Sequence, residues 1–351
     1  MLKTELKQQF PNNAIIKDQH GKESVMVYVE KFFLDEVIDG ASHTPHPAFI
    51  VDSKEIEGFY VSKFQNTLSD GLAYSLPGRD PATQIDFDSA VKACVNKGDG
   101  FHLMTAAEWG AIALWCQKNG WLPYGNNDMG KDIREENAVA QISYYNEEKS
   151  ICRVATGTGP IEWSHNRQAD GIYDLNANVW EWIGGLRLVY GELQILPTNN
   201  GASARSSQEA LSEDWRAIYG TNGELLIPDG NGTTKHSIKL DFINGRWGYV
   251  TAPITDSSEK FRFCNFSDVI ADTSICEKAK EILLSLCCLP SPAYQEPSVS
   301  FYANNGAAER IPFRGGRWGQ GLNSGVFKTC FDDPRTYSGH AVGFRSAYYE
   351  S

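Results

Sequence analysis

The sequence predicts a mixed α+β domain: two amphipathic helices pack on a common sheet, and turn-rich chain with little helical periodicity follows them. Three observations carry this. Apolar residues recur at helical spacing in two neighbouring stretches between Asp86 and Gly120. Short runs of β-branched and aromatic residues alternate ahead of them. Beyond Gly120, Gly, Asn, Asp and Trp dominate and helical periodicity nearly disappears.

Residues 1–57 mix short apolar runs (Val25 to Val29, then FFLDEVI) with polar turns, and read as strands or an arm on the main domain, residues 58–351. GFYVSKFQ, Gly58 to Gln65, alternates and is a strand. DFDSAVKACVNKGDG is a helix opened by Asp86 or Asp88 and closed at Gly98. In LMTAAEWGAIALWCQKNG, Thr105 and Glu108 form a capping box. Trp109, Ile112, Ala113 and Cys116 share a face, and Asn119-Gly120 ends the helix. In GIYDLNANVWEWIGG, strand alternation puts Trp180 and Trp182 on one side and Glu181 on the other. Residues 199–300 read as a long decorated insertion, with strand-like runs (HSIKLDFI, RWGYVTAPI) and one further helix, Glu277 to Leu286.

The 351 residues carry a net charge of −12, which excludes general nucleic-acid binding, since that needs a basic surface. No run is apolar enough for a membrane span, so no membrane insertion is expected. The start, MLKTELKQQFPNN, lacks an apolar core and a small-residue cleavage site, so no signal peptide is expected. The eight cysteines show neither C-x-x-C nor ligand-spaced pairs and read as reduced, mostly buried thiols; zinc is disfavoured. His43 and His46, in the proline-bounded SHTPHP, read as solvated rather than ligating.

The C-terminal segment alternates fixed-looking posts with mixed filling. Arg314-Gly315-Gly316, Trp318, Gly325-Val326-Phe327 and Gly343-Phe344-Arg345 are suited to holding a shape. Glycines permit close approach, Trp318, Phe327 and Phe344 can anchor in the core, and Arg314 and Arg345 suit internal ion pairs or carbonyl bonds. The residues between them have no periodicity and include both charge signs, a thiol, an imidazole and a phenol.

LMTAAEW, GIYDLNANVWEW, RGGRW and GFRSA, in this order, resemble the formylglycine-generating-enzyme (sulfatase-modifying factor) type of C-type lectin fold. The resemblance covers Gly58 to Ala347 and implies two helices on a small twisted antiparallel sheet. The oxidase branch uses a copper-binding cysteine pair near the C-terminus. Here that region offers Cys330 alone, with Ser346 where the enzymes commonly carry cysteine. The iron-dependent sulfoxide synthases need a histidine triad that the seven histidines do not form. The third branch, the variable proteins of diversity-generating retroelements, matches best: RGGRWGQG, then SGVF, Arg335-Thr336 and VGFR. There a reverse transcriptase miscopies adenines and rewrites chosen surface residues on a constant frame.

That resemblance implies a variable region, 313–345, with Arg317, Gly319, Gln320, Lys328, Cys330, Asp332, Asp333, Tyr337, Gly339, His340 and Ala341 as the diversified set. It implies a non-enzymatic binder of a protein or cell-surface receptor, on a phage or prophage tail or in the cytoplasm before assembly. The alternatives are a host-encoded surface binder and, more remotely, an oxidase. No cofactor is required. Homo-oligomerisation, known in phage relatives, is left open. By position the resemblance also implies a structural calcium held by Asp174, Glu181 and the carbonyls of Ala177 and Val179. Against that stands a plain reading with Asp174 in a turn and Glu181 in an internal ion pair.

Overall fold

Residues 10–350 are described in the computed structural model. The last strand of the chain is inserted between early ones. Ser346–Tyr348 pairs antiparallel with Gly58–Ser62 on one side and with Phe101–Leu103 on the other. Glu23–Glu30 and Asn13–Lys17 extend this terminal sheet to five strands. Between these strands run a one-turn helix α1 (Leu34–Val37), α2 (Phe87–Val95) and α3 (Ala106–Lys118). FFLDEVI, expected to be extended, therefore contains a helical turn.

Local chemistry fixes both principal helices where the spacing places them. Asp86 caps α2 by accepting from Ser89 N–H at 2.7 Å. At α3, Thr105 Oγ1 accepts from Glu108 N–H while Glu108 Oε2 accepts from Thr105 N–H. The sequence reading gave α3 a single apolar face, yet it is buried nearly all round. Several elements cover it: α1, the turn Pro47–Phe49, and α4 (Glu277–Ser285), whose Ser285 carbonyl lies against Gly110. α4 also corrects the reading of His46. Rather than solvated, it is wholly buried, with Nε2 3.1 Å from Ser285 O, and burial lowers its pKa to about 3. His43 is exposed beside Asp35.

The span 199–300 holds more regular structure than its polar turns imply. The hairpin Leu186–Val189/Glu192–Ile195 is extended by Arg216–Ile218, Leu225–Leu226, Lys239–Ile243, Arg246–Val250 and Ile270–Ala271 into a sheet of seven strands. Leu240, Trp247 and Tyr249 join Trp109, Phe301 and Phe331 in one continuous core. A third, six-stranded sheet runs Arg262–Asn265, Ser300–Ala303, Gly325–Phe331, Phe313–Gly315, Trp180–Trp182, Val342–Phe344. Among the described residues no helix is long and apolar enough to cross a membrane.

Candidate ligand-binding face

The six-stranded sheet has two unlike faces, and its register sorts the side chains. Phe301, Ala303, Phe327, Thr329, Phe331, Arg314 and Glu181 point to the core. The opposite face carries Phe263, Tyr302, Lys328 with Cys330, Phe313, Trp180 with Trp182, and Val342 with Phe344. At the Trp182 end this face is closed by α2: Phe87 meets Trp182 edge-on at 5.7 Å, and Trp182 Nε1 donates to Ile85 O at 2.9 Å. At the other end it opens, and Phe263 is 58% exposed beside Tyr302.

The C-terminal segment is stitched onto the YDLNANVWEW stretch along its length. Ala177 N–H donates to Gly315 O (3.1 Å), Trp318 N–H to Asn178 O (3.2 Å) and Trp180 N–H to Ala341 O (2.9 Å). The turn beneath bends through left-handed Asp174, Ala177 and Asn178. Gly315 and Gly316 are left-handed as well, and a Cβ on Gly315 would stand 2.9 Å from Leu175 O, so only glycine passes.

The frame residues do what their chemistry suits. Arg345 clasps both oxygens of Glu181 at 2.8 Å and donates to the carbonyls of Ser62, Lys63 and Tyr173. Arg314 donates to the Leu286 and Cys287 carbonyls and to Thr329 Oγ1. Trp318 packs against Cys152, Val179 and Ala341; Phe327 lies in the main core and Phe344 against the α2 side. The result is a mixed α/β arrangement, with few helices beside small curled sheets and much irregular chain, as the resemblance implies. No family model and no curated protein matches the chain. Among solved structures, the chain is similar to PvdO from Pseudomonas aeruginosa at 12% identity, over 95% of this chain and 97% of that one, with a TM-score of 0.38. It is similar to Treponema denticola variable protein 1 at 12% identity, over 96% and 98%, with a TM-score of 0.34.

The set expected to be diversified divides by depth. Gly319, Tyr337 and His340 are exposed; Arg317, Gln320, Asp332 and Asp333 are half-buried. Arg317 and Gln320 are joined by Arg317 N–H donating to Gln320 Oε1, and His340 lies 5.7 Å from the Trp318 ring. Tyr337 rests on Phe313 and feels the charges of Asp333 and Arg317. Among the described residues, Asp332 and Asp333 form no ion pair. Burial raises both carboxyl pKa values, Asp333 to about 6 with Asp332 adding to its shift.

Lys328, Cys330, Gly339 and Ala341 are a correction to the expectation of a wholly surface set: all four lie beneath it. Alternation does put Lys328 and Cys330 on the open face of the sheet. Lys328 Nζ, however, sits between the rings of Trp180 (5.2 Å) and Tyr302 (5.1 Å) and donates to Asn323 O at 2.9 Å. Burial lowers its pKa to about 7. Ala341 is held under Trp318, and burial pushes the Cys330 thiol up.

The lysine gives a testable pH dependence. Its folded pKa is below the unfolded value, so the unfolded chain binds more protons between them, and stability rises with pH above about 7. Lys63 and Lys97, buried elsewhere and lowered to about 8, act with the same sign. The difference between parent and Lys328→Met isolates the residue. Urea unfolding of the parent should gain on the order of 2 kcal/mol more than the variant from pH 7 to pH 9; equal gains contradict the buried cation.

Two features of the face escaped the sequence reading. Arg335 pins the 332–341 loop by pairing with Glu309 (2.6 Å) and with Asp88 of α2 (2.8 Å). Arg335-Thr336 belongs to the matched pattern, but the sequence reading gave it neither these partners nor a structural role. Phe261 and Phe263 supply exposed rings beside the segment, both near the half-buried Tyr302, and the alternating KFRFCNF was the available signal.

The implied calcium donors do not fit that ion. Glu181 gives both oxygens to Arg345, and Asp174 Oδ2 accepts from Gly157 N–H at 2.9 Å. The Ala177 and Val179 carbonyls accept from Gln65 Nε2, and Asp174 Oδ1, without a partner among the described residues, is one free oxygen against the six to eight that calcium takes. The plain alternative, a turn aspartate and an internal ion pair, is the arrangement found.

Proposed function

We propose that this chain is a ligand-binding protein, not an enzyme, whose C-terminal face is diversified by a retroelement. The observation that carries the reading is the division within residues 313–345. Arg314, Trp318, Phe327, Phe344 and Arg345 are buried and bonded to constant parts of the fold. Arg317, Gly319, Gln320, Asp332, Asp333, Tyr337 and His340 reach solvent between them. Side chains with this exposure can change without disturbing the core, and Tyr, Arg, Asp and His make strong local contacts at interfaces. Pinning the segment at Trp318 and Phe344 limits the ordering entropy lost on binding. Lys328 and Cys330 would act from below, by reshaping the floor of the face.

The ligand class is a protein or cell-surface receptor, and a phage or prophage tail is the setting that fits the segment's resemblance best. Cys330 supports a non-enzymatic reading, because a buried thiol with a raised pKa is a poor thiolate. The test is the gene's surroundings and its sibling isolates. The reading expects an adjacent reverse transcriptase, a near-copy of the terminal segment differing at adenines, and substitutions confined to that segment. Substitutions spread evenly along the chain would overturn it, as would copper binding with oxidation of a peptide thiol.

A further inference from the structure

We propose that the side-chain amide of Gln65 does in this chain the structural work that a cation would do at the YDLNANVWEW turn. Gln65 is buried, and its Nε2 stands at the meeting point of four oxygens. These are the carbonyls of Val179 (3.0 Å), Ala177 (3.2 Å) and Asp174 (3.2 Å), and Glu181 Oε1 (3.0 Å). Such a convergence of main-chain carbonyls and a carboxylate is ordinarily built around a hard cation. A nitrogen at these distances excludes one, since calcium takes its oxygens at about 2.3–2.6 Å from its own centre.

The orientation of the amide follows from its other end. Gln65 Oε1 accepts from Asn178 Nδ2 at 3.0 Å. Asn178 is fixed in turn, with Oδ1 accepting from Val154 N–H and from Asn126 Nδ2, both at 3.0 Å. Flipping Gln65 would set its oxygen among four oxygens and its NH2 against another NH2, leaving every contact repulsive. The amide has two protons for four acceptors, so they are shared. The charge that a divalent cation would bring is supplied by Arg345 on the far side of Glu181.

The consequence concerns the frame. The turn held by Gln65 is the bed on which Gly315 and Trp318 lie, through Ala177 N–H and Asn178 O. A covalently attached donor keeps that bed intact whatever the calcium concentration, so the binding face keeps its shape in chelating surroundings. This inference stands independently of which ligand the face takes.

The test uses the full chain. The parent should melt at the same temperature in EGTA and in millimolar CaCl2, and should retain no calcium after dialysis. Gln65→Ala should melt several degrees lower in EGTA and recover part of the loss in CaCl2, because the vacated position then becomes an oxygen cage. A Gln65→Ala chain that folds only with calcium is the extreme form of the same result. Should it fold in neither buffer, Gln65→Met, similar in volume but without donors, should still melt below the parent. One equivalent of calcium in the parent overturns the inference. So do a parent melting temperature that rises with CaCl2 and a Gln65 variant that melts with the parent in EGTA.

Discussion

Replacing Arg345 with alanine should lower the unfolding free energy by roughly 3–5 kcal/mol, among the largest losses that any single change in this chain produces. The guanidinium is wholly buried, and its removal leaves Glu181, itself 1% exposed, without its countercharge. Three main-chain carbonyls lose a donor in the same step. Most of this cost is the stranded carboxylate rather than the worth of the pair. The double variant Arg345→Met with Glu181→Leu should therefore lose much less than the two single changes added together. Urea unfolding of the four proteins measures this; additive losses would mean that the pair is not coupled.

Trp318→Ala should cost roughly 3–5 kcal/mol, because a buried indole leaves a void between Cys152, Val179 and Ala341 that constant parts of the fold cannot close. The void also frees Ala341, whose carbonyl accepts from Trp180 N–H, so the damage reaches the central strand. Asp332→Ala, just past the end of the strand Gly325–Phe331, should leave thermal melting unchanged or slightly raised, since it removes a half-buried carboxylate without an ion pair. Equal destabilisation by the two changes would dissolve the distinction between frame and face.

What could be read in the sequence was local chemistry. The Thr105/Glu108 box, the alternation of Trp180, Glu181 and Trp182, and the internal roles of Arg314 and Arg345 each follow from a few adjacent residues, and each is found in place. What could not be read depends on partners brought from far along the chain. Lys328 looks like a surface cation until Trp180 and Tyr302 close on it. His46 looks solvated until Ser285 arrives from the inserted region. The strands of residues 199–300 are short; two of them join the sheet by pairing with Glu192–Ile195, a partner from outside the span that their own pattern does not reveal. Gln65 ends an ordinary-looking strand run, and nothing adjacent announces the four oxygens it meets.

The division into a constant frame and a replaceable face is tested most directly by thermal unfolding of chains in which Arg317, Gln320, Asp332, Asp333, Tyr337 and His340 are all replaced at once by residues drawn at random. Most such chains should melt cooperatively within a few degrees of the parent, with Trp318→Ala melting well below them. If most of them melt as low as Trp318→Ala, or lose cooperative unfolding, these side chains belong to the frame and the account is wrong.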